Sequence, residues 1–112
     1  MLTIAGNAHI FVFGEPVNMR KSFEGLCAIV EHSLTEEPTS GAYFVFLNRQ
    51  RNKMKVLYWD GDGLAIWYKR LEKGRFPLQN SGKIAMNRRD FFMMLEGIIP
   101  KRINARYFLE KT

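Results

Sequence analysis

Tyr58-Trp59-Asp60-Gly61-Asp62-Gly63-Leu64-Ala65-Ile66-Trp67-Tyr68-Lys69-Arg70-Leu71-Glu72-Lys73-Gly74-Arg75-Phe76 is the stretch that decides the fold. An apolar, aromatic run enters Asp-Gly-Asp-Gly and a second one leaves it. Gly and Asp tolerate the positive φ of tight hairpin turns, so this pattern predicts two antiparallel strands. Upstream, residues 42–47 (AYFVFL) and 54–59 (MKVLYW) read as strands flanking a polar turn at 48–53 (NRQRNK). With residues 64–69 they predict an antiparallel meander. Val56 and Trp67 fall on one face and Leu57 and Ile66 on the other, so both faces read as apolar. Helices are expected on one face. The second is covered by further chain or forms an interface, because large exposed apolar patches mark partner sites; a homodimer or a contact with a partner protein is the expectation.

Residues 9–13 (HIFVF) predict a first strand, ended by Gly14-Glu15-Pro16. Asn18 suits an N-cap for a helix starting near Met19. Met19, Phe23, Leu26, Cys27, Val30 and Leu34 step by three and four along its apolar stripe. Gly25 within that helix costs about 1 kcal/mol relative to Ala, unless a close contact requires it. Residues 83–86 suggest a short edge strand. Asn87, with Asp90 three positions on, predicts the start of a short helix bearing Phe91, Phe92, Leu95, Ile98 and Ile99, and Gly97 and Pro100 end it. Residues 101–112 are basic and compatible with strand, helix or a loosely attached tail. The predicted fold class is α+β: an antiparallel β-meander sheet packed with one long and one short helix, in a single domain over 1–112.

The 112 residues can bury a core without staples, and 46% hydrophobic content with 13% aromatics excludes disorder. A single cysteine, Cys27, rules out an internal disulfide and fits a reducing, cytoplasmic setting. Cys27, His9 and His32 lack zinc-ligand spacing. No apolar run reaches membrane-spanning length, and residues 1–6 lack the positive region of a secretory signal, so neither membrane nor export is expected. Seventeen basic against eleven acidic residues give a net charge of +6. The pI near 9.7 suits a nucleic-acid-binding domain.

The basic residues set the candidate site. Arg49, Arg51, Lys53 and Lys55 recur at every second position, so a strand through them would point all four to one side. Asn48, Gln50 and Asn52 interleave them and could bond bases or phosphates, as β-ribbon readers do in a major groove. A solvated loop tip explains the same residues more simply, because loops are polar anyway. Lys69, Arg70, Lys73 and Arg75, with Tyr68 and Phe76 beside them, form a second set, and Arg88 and Arg89 open the second helix against its dipole. Arg20 and Lys21 also sit where a helix dipole disfavours them; a phosphate site and an ion pair with Glu24 are both open. Tyr58, Trp67 and Tyr68 are the candidate partner-facing aromatics.

Asp60 and Asp62 are explained by the turn, although paired carboxylates can hold Mg²⁺. A two-metal nuclease needs further converging carboxylates, and Asp90 reads better as a helix-capping residue. No nucleophile–base arrangement, phosphate-cradling Gly-rich loop or histidine cluster is present. No enzyme activity, metal or cofactor is expected.

Several strings together resemble one family: Pro16-Val17-Asn18-Met19-Arg20-Lys21-Ser22-Phe23-Glu24-Gly25-Leu26, Gly41-Ala42-Tyr43-Phe44-Val45-Phe46, Asn48-Arg49, Lys53-Met54-Lys55-Val56-Leu57-Tyr58-Trp59, the hairpin string, and Met94-Leu95-Glu96-Gly97-Ile98. They are similar to the TnpB-type accessory proteins of bacterial insertion sequence family sixty-six. Asn18 departs from the family's usual Asp, keeping capping ability but losing a charge. The resemblance implies a small protein encoded beside a DDE-type transposase and needed for transposition, with no catalytic residues to carry over. It is unrelated to the RNA-guided nucleases that share the TnpB name. DNA and the transposase of the same element are the expected partners. The leading expectation is a non-enzymatic DNA-binding factor that helps assemble the transposase complex; the alternative is an adaptor that docks on the transposase without specific DNA recognition.

Overall fold

Residues 43–47 (YFVFL) offer no polar side to water, and the chain accordingly places them at the centre of a five-stranded sheet. The computed structural model describes residues 2–77 and 82–96. Its elements are β1 (Ile10–Phe13), α1 (Phe23–His32), β2 (Tyr43–Leu47), β3 (Lys53–Trp59), β4 (Leu64–Arg70), β5 (Lys83–Met86) and α2 (Arg88–Leu95). The strand order is β4-β3-β2-β1-β5.

The predicted meander is present: β2 pairs antiparallel with β3, and β3 with β4 through seven consecutive residue pairs. The sheet as a whole departs from the antiparallel expectation. β1 runs parallel to β2, with Ile10 opposite Tyr43 and Val12 opposite Val45. A parallel pair needs a long crossover, and residues 14–42, which contain α1, supply it. β5 then joins the outer side of β1 antiparallel. The sheet is therefore mixed, and the helices, of ten and eight residues, are not one long and one short.

Both faces are covered. On one, Leu26, Val30 and Leu34 pack with Phe44, Phe46 and Leu57. On the other, Phe91, Met94 and Leu95 of α2, Leu2 and Ile4, and Phe76 pack over Val12, Val45, Met54 and Val56. Each such side chain contributes about 1.5–3 kcal/mol when fully removed from water. Double coverage explains why Phe44 to Leu47 and Met54 to Leu57 are all buried, a pattern typical of interior strands.

Helix α1 begins four residues later than expected. Asn18 caps a turn instead: its Oδ1 accepts from Arg20 N at 2.8 Å, and its carbonyl accepts from Lys21 N at 3.0 Å. Ser22 takes the N-cap position without a side-chain bond. Phe23, expected in the core, is 44% exposed. Gly25 does mark a close approach, since a Cβ there would lie 3.1 Å from Lys21 Cβ and Cγ. The α2 cap follows the prediction, with Asn87 Oδ1 accepting from Asp90 N at 2.8 Å. At the Asp-Gly-Asp-Gly turn only Gly61 takes a positive φ (80°), and Asp62 N donates to Asp60 O at 2.9 Å. Positive φ at the first central residue alone excludes a type I′ turn, and the Asp62–Asp60 bond tightens the reversal around Gly61. The basic segment 101–112 lies outside the described residues.

Candidate nucleic-acid interface

Asn48 organises the connection between β2 and β3. Its Oδ1 accepts from Asn52 N and Lys53 N, both at 3.0 Å, and its Nδ2 donates to Asn52 Oδ1 at 2.7 Å and Gln50 Oε1 at 3.3 Å. Arg51 closes the turn at φ 57°, donating its N–H to Asn48 O. β3 therefore begins at Lys53, and the alternation expected for Arg49, Arg51, Lys53 and Lys55 does not extend through the turn. The side-chain amide of Asn48 and the carbonyl of Asn52 are already engaged inside the turn. Arg49 and Gln50 are left exposed at its tip.

Opposite this turn lies residues 16–20, fastened to the end of β2 by Val17 N donating to Leu47 O at 2.8 Å. Between the two is a cavity of about 580 Å³, lined by Pro16, Val17, Asn18, Met19, Arg20, Asn48, Arg49, Gln50, Lys53 and Tyr68. That volume falls within the usual range of ligand sites, about 300–1,000 Å³. Its charged lining residues are Arg20, Arg49 and Lys53, and none pairs with a carboxylate among the described residues. Lys53 also lies directly across the β3–β4 ladder from Arg70. Like charges in cross-strand positions are unfavourable, so the cluster favours an anion.

Lys55 is not a surface cation. It is only 8% exposed, and its Nζ donates to Met19 O and Lys21 O, each at 2.8 Å, while lying 4.9 Å from the Tyr68 ring centroid. It braces the turn that carries Arg20 and supports one face of Tyr68, which is itself 50% exposed. The Nζ expected to contact DNA is engaged inside the protein in this structure.

The other predicted residues are dispersed. Lys69 points to the opposite face of the sheet and donates to Leu95 O at 3.2 Å. Arg70 is exposed and pairs with Glu72 at 3.0 Å. Lys73 and Arg75 are exposed in the loop after β4, whereas Phe76 is fully buried, with its N–H on Arg51 O. Arg88 and Arg89 are exposed at the start of α2, on the far face, and Arg88 sits 5.9 Å from the Phe92 ring. Tyr58 and Trp67 are half-buried on the α2 face, with Tyr58 stacked on Tyr43 at 5.1 Å, so they share no patch with Tyr68. Among the described residues, the exposed large apolar side chains are Phe23, Trp59 and Tyr68. Arg20 was the residue that spacing could not assign; its "MRK" neighbourhood signalled interest, but only folding brings it across from Arg49.

Asp60 and Asp62 are exposed in the hairpin turn, and among the described residues no group of three His, Cys, Asp or Glu could hold a metal ion. Among those residues, too, no helix is long and apolar enough to cross a membrane. Burial, reinforced by Glu31, raises the Cys27 thiol pKa above its ordinary value. The Tyr43 hydroxyl is likewise raised, by burial and then by Tyr58 and Asp60.

The family model for IS66 Orf2-like proteins matches residues 8–105, a span that contains both walls of this cleft. The chain belongs to the IS66 Orf2-like family. Membership ties it to insertion-sequence transposition in an accessory role. Two similar curated proteins, both from Sinorhizobium fredii, carry the names uncharacterized protein y4jC and uncharacterized protein y4hO. The first is 31% identical over 99 residues, covering 87% of this chain and 85% of its own length. The second is 33% identical over 100 residues, covering 88% and 87%. No solved structure matches the chain significantly.

Proposed function

We propose that this IS66 Orf2-like protein is a non-enzymatic, cytoplasmic and nucleoid-associated accessory factor that binds DNA and helps assemble the transposase complex. The observation that carries the reading is the cleft in which Arg20, Arg49 and Lys53 converge without a carboxylate. Cations so placed suit phosphate oxygens, and their engagement releases counterions. Tyr68, supported from behind by Lys55, adds an aromatic face beside the cations. Arg70, Lys73 and Arg75 extend the positive surface beyond the cleft, and Arg51 belongs to the turn itself. Lys69, Arg88 and Arg89 belong to the opposite face and serve as weaker, secondary contacts.

The alternative is an adaptor that docks on the transposase, favoured by the exposed Phe23, Trp59 and Tyr68. Anisotropy of labelled DNA from the element's ends against scrambled DNA, over a salt series, separates the two. A steep salt slope with preference for the ends supports the DNA factor. Weak, sequence-blind binding that is unaffected by Arg20→Gln and Arg49→Gln supports the adaptor.

A further inference from the structure

The outer edge of β4 is unlike the sheet's other edge. β5 is four residues long and begins with Lys83, whereas β4 runs for seven residues, LAIWYKR, without proline or interruption in its register. Among the described residues nothing pairs with its outer side. Proteins usually shorten, bend or block such edges, because a long apolar one recruits another strand.

The direction of its free backbone groups follows from the two ends of the ladder. Asp60 N donates to Gly63 O and Leu71 N to Asn52 O, both at 2.7 Å, so Gly63 and Leu71 face β3. Alternation makes Ala65, Trp67 and Lys69 do the same. Leu64, Ile66, Tyr68 and Arg70 therefore aim their N–H and C=O groups away from the sheet.

We infer that β4 pairs antiparallel with β4 of a second copy of this chain, about a two-fold axis at Ile66, to form one continuous sheet across a homodimer. This register exchanges backbone bonds between Ile66 and its symmetry mate and between Leu64 and Tyr68. It sets the large Trp67 side chain opposite the small Ala65 of the other copy. It also brings Arg70, at the basic end of the strand, against Asp62, at the acidic turn of the other copy, and the symmetry repeats that contact. Arg70 bonds Glu72 within its own chain, but that pair is largely exposed and therefore weak, so it can be exchanged. The axis stands perpendicular to the sheet, as in isologous strand pairing. Both α1 helices and both basic clefts consequently face the same side. The pairing does not depend on what the clefts bind.

Sedimentation velocity on the full chain over a concentration series tests this. A reversible monomer–dimer equilibrium is expected. Asp62→Lys or Arg70→Asp alone weakens the dimer about tenfold, because an attractive pair becomes repulsive at both symmetry-related positions, and the double variant restores it. Tyr68→Pro removes an N–H that faces the open edge rather than β3, and should abolish the dimer while circular dichroism remains native; Tyr68→Ala keeps that backbone donor and most of the association. A monomer at every concentration overturns the inference, as does a dimer indifferent to both the proline and the charge changes. A monomer whose Leu64, Ile66 and Tyr68 amides resist hydrogen exchange also overturns it, by placing another segment of the same chain on the edge.

Discussion

Lys55 and Arg49 are both basic residues in the same run, yet their environments predict opposite behaviour on substitution. Lys55→Met leaves the Met19 and Lys21 carbonyls without their donor in a nearly buried position. The expected cost is about 1–3 kcal/mol in a urea unfolding curve. Arg49 is exposed at the turn tip, so Arg49→Gln should change stability by less than about 0.5 kcal/mol. It should instead lower the salt slope of DNA binding by about one. Equal destabilisation by the two changes would mean that the turn depends on Arg49 in a way its exposure does not suggest. Cys27 gives a third expectation. Its raised thiol pKa keeps it protonated further into the alkaline range than a free cysteine, so folded protein at mildly alkaline pH should alkylate more slowly than urea-unfolded protein.

The turn between β2 and β3 and the loop after β4 form a linked pair, because Phe76 N bonds Arg51 O and Leu71 N bonds Asn52 O. Phe76 closes the core on the α2 side with no exposure. Phe76→Ala should therefore cost about 3–5 kcal/mol, read as a lowered thermal midpoint. It should also loosen the turn that presents Arg49, seen as faster hydrogen exchange at Asn52 and Lys53. The helices show how neighbours shift an element that periodicity outlines correctly. The stripe through Leu26, Val30 and Leu34 is buried as its spacing predicts. Met19 continues the same spacing, but the Asn18 turn and the Lys55 ammonium hold the backbone there outside the helix, and Phe23, the first helical residue, stays exposed. A local cap and a distant lysine override a pattern that cannot distinguish core from cleft wall.

For the molecule as a whole, the charge of +6 is not spread evenly over function. One face gathers Arg20, Arg49 and Lys53 around a cavity; the other holds Lys69 bonded to a helix carbonyl and Arg88 against an aromatic ring. Charge reversal at Arg20 and Arg49 together should weaken DNA binding far more than reversal at Arg88 and Arg89 in the same anisotropy titration. Equal losses would shift the binding surface to the α2 side. The sequence by itself determined the strands from β2 to β4, the Asn87 cap, both apolar sheet faces and the positive charge. These are encoded by neighbours in the chain, through alternation, turn chemistry and composition. The parallel β1–β2 pair, the burial of Lys55 and the meeting of Arg20 with Arg49 were decided only by tertiary structure. Each joins residues roughly thirty positions apart, and such contacts follow from packing around α1, which no local period records.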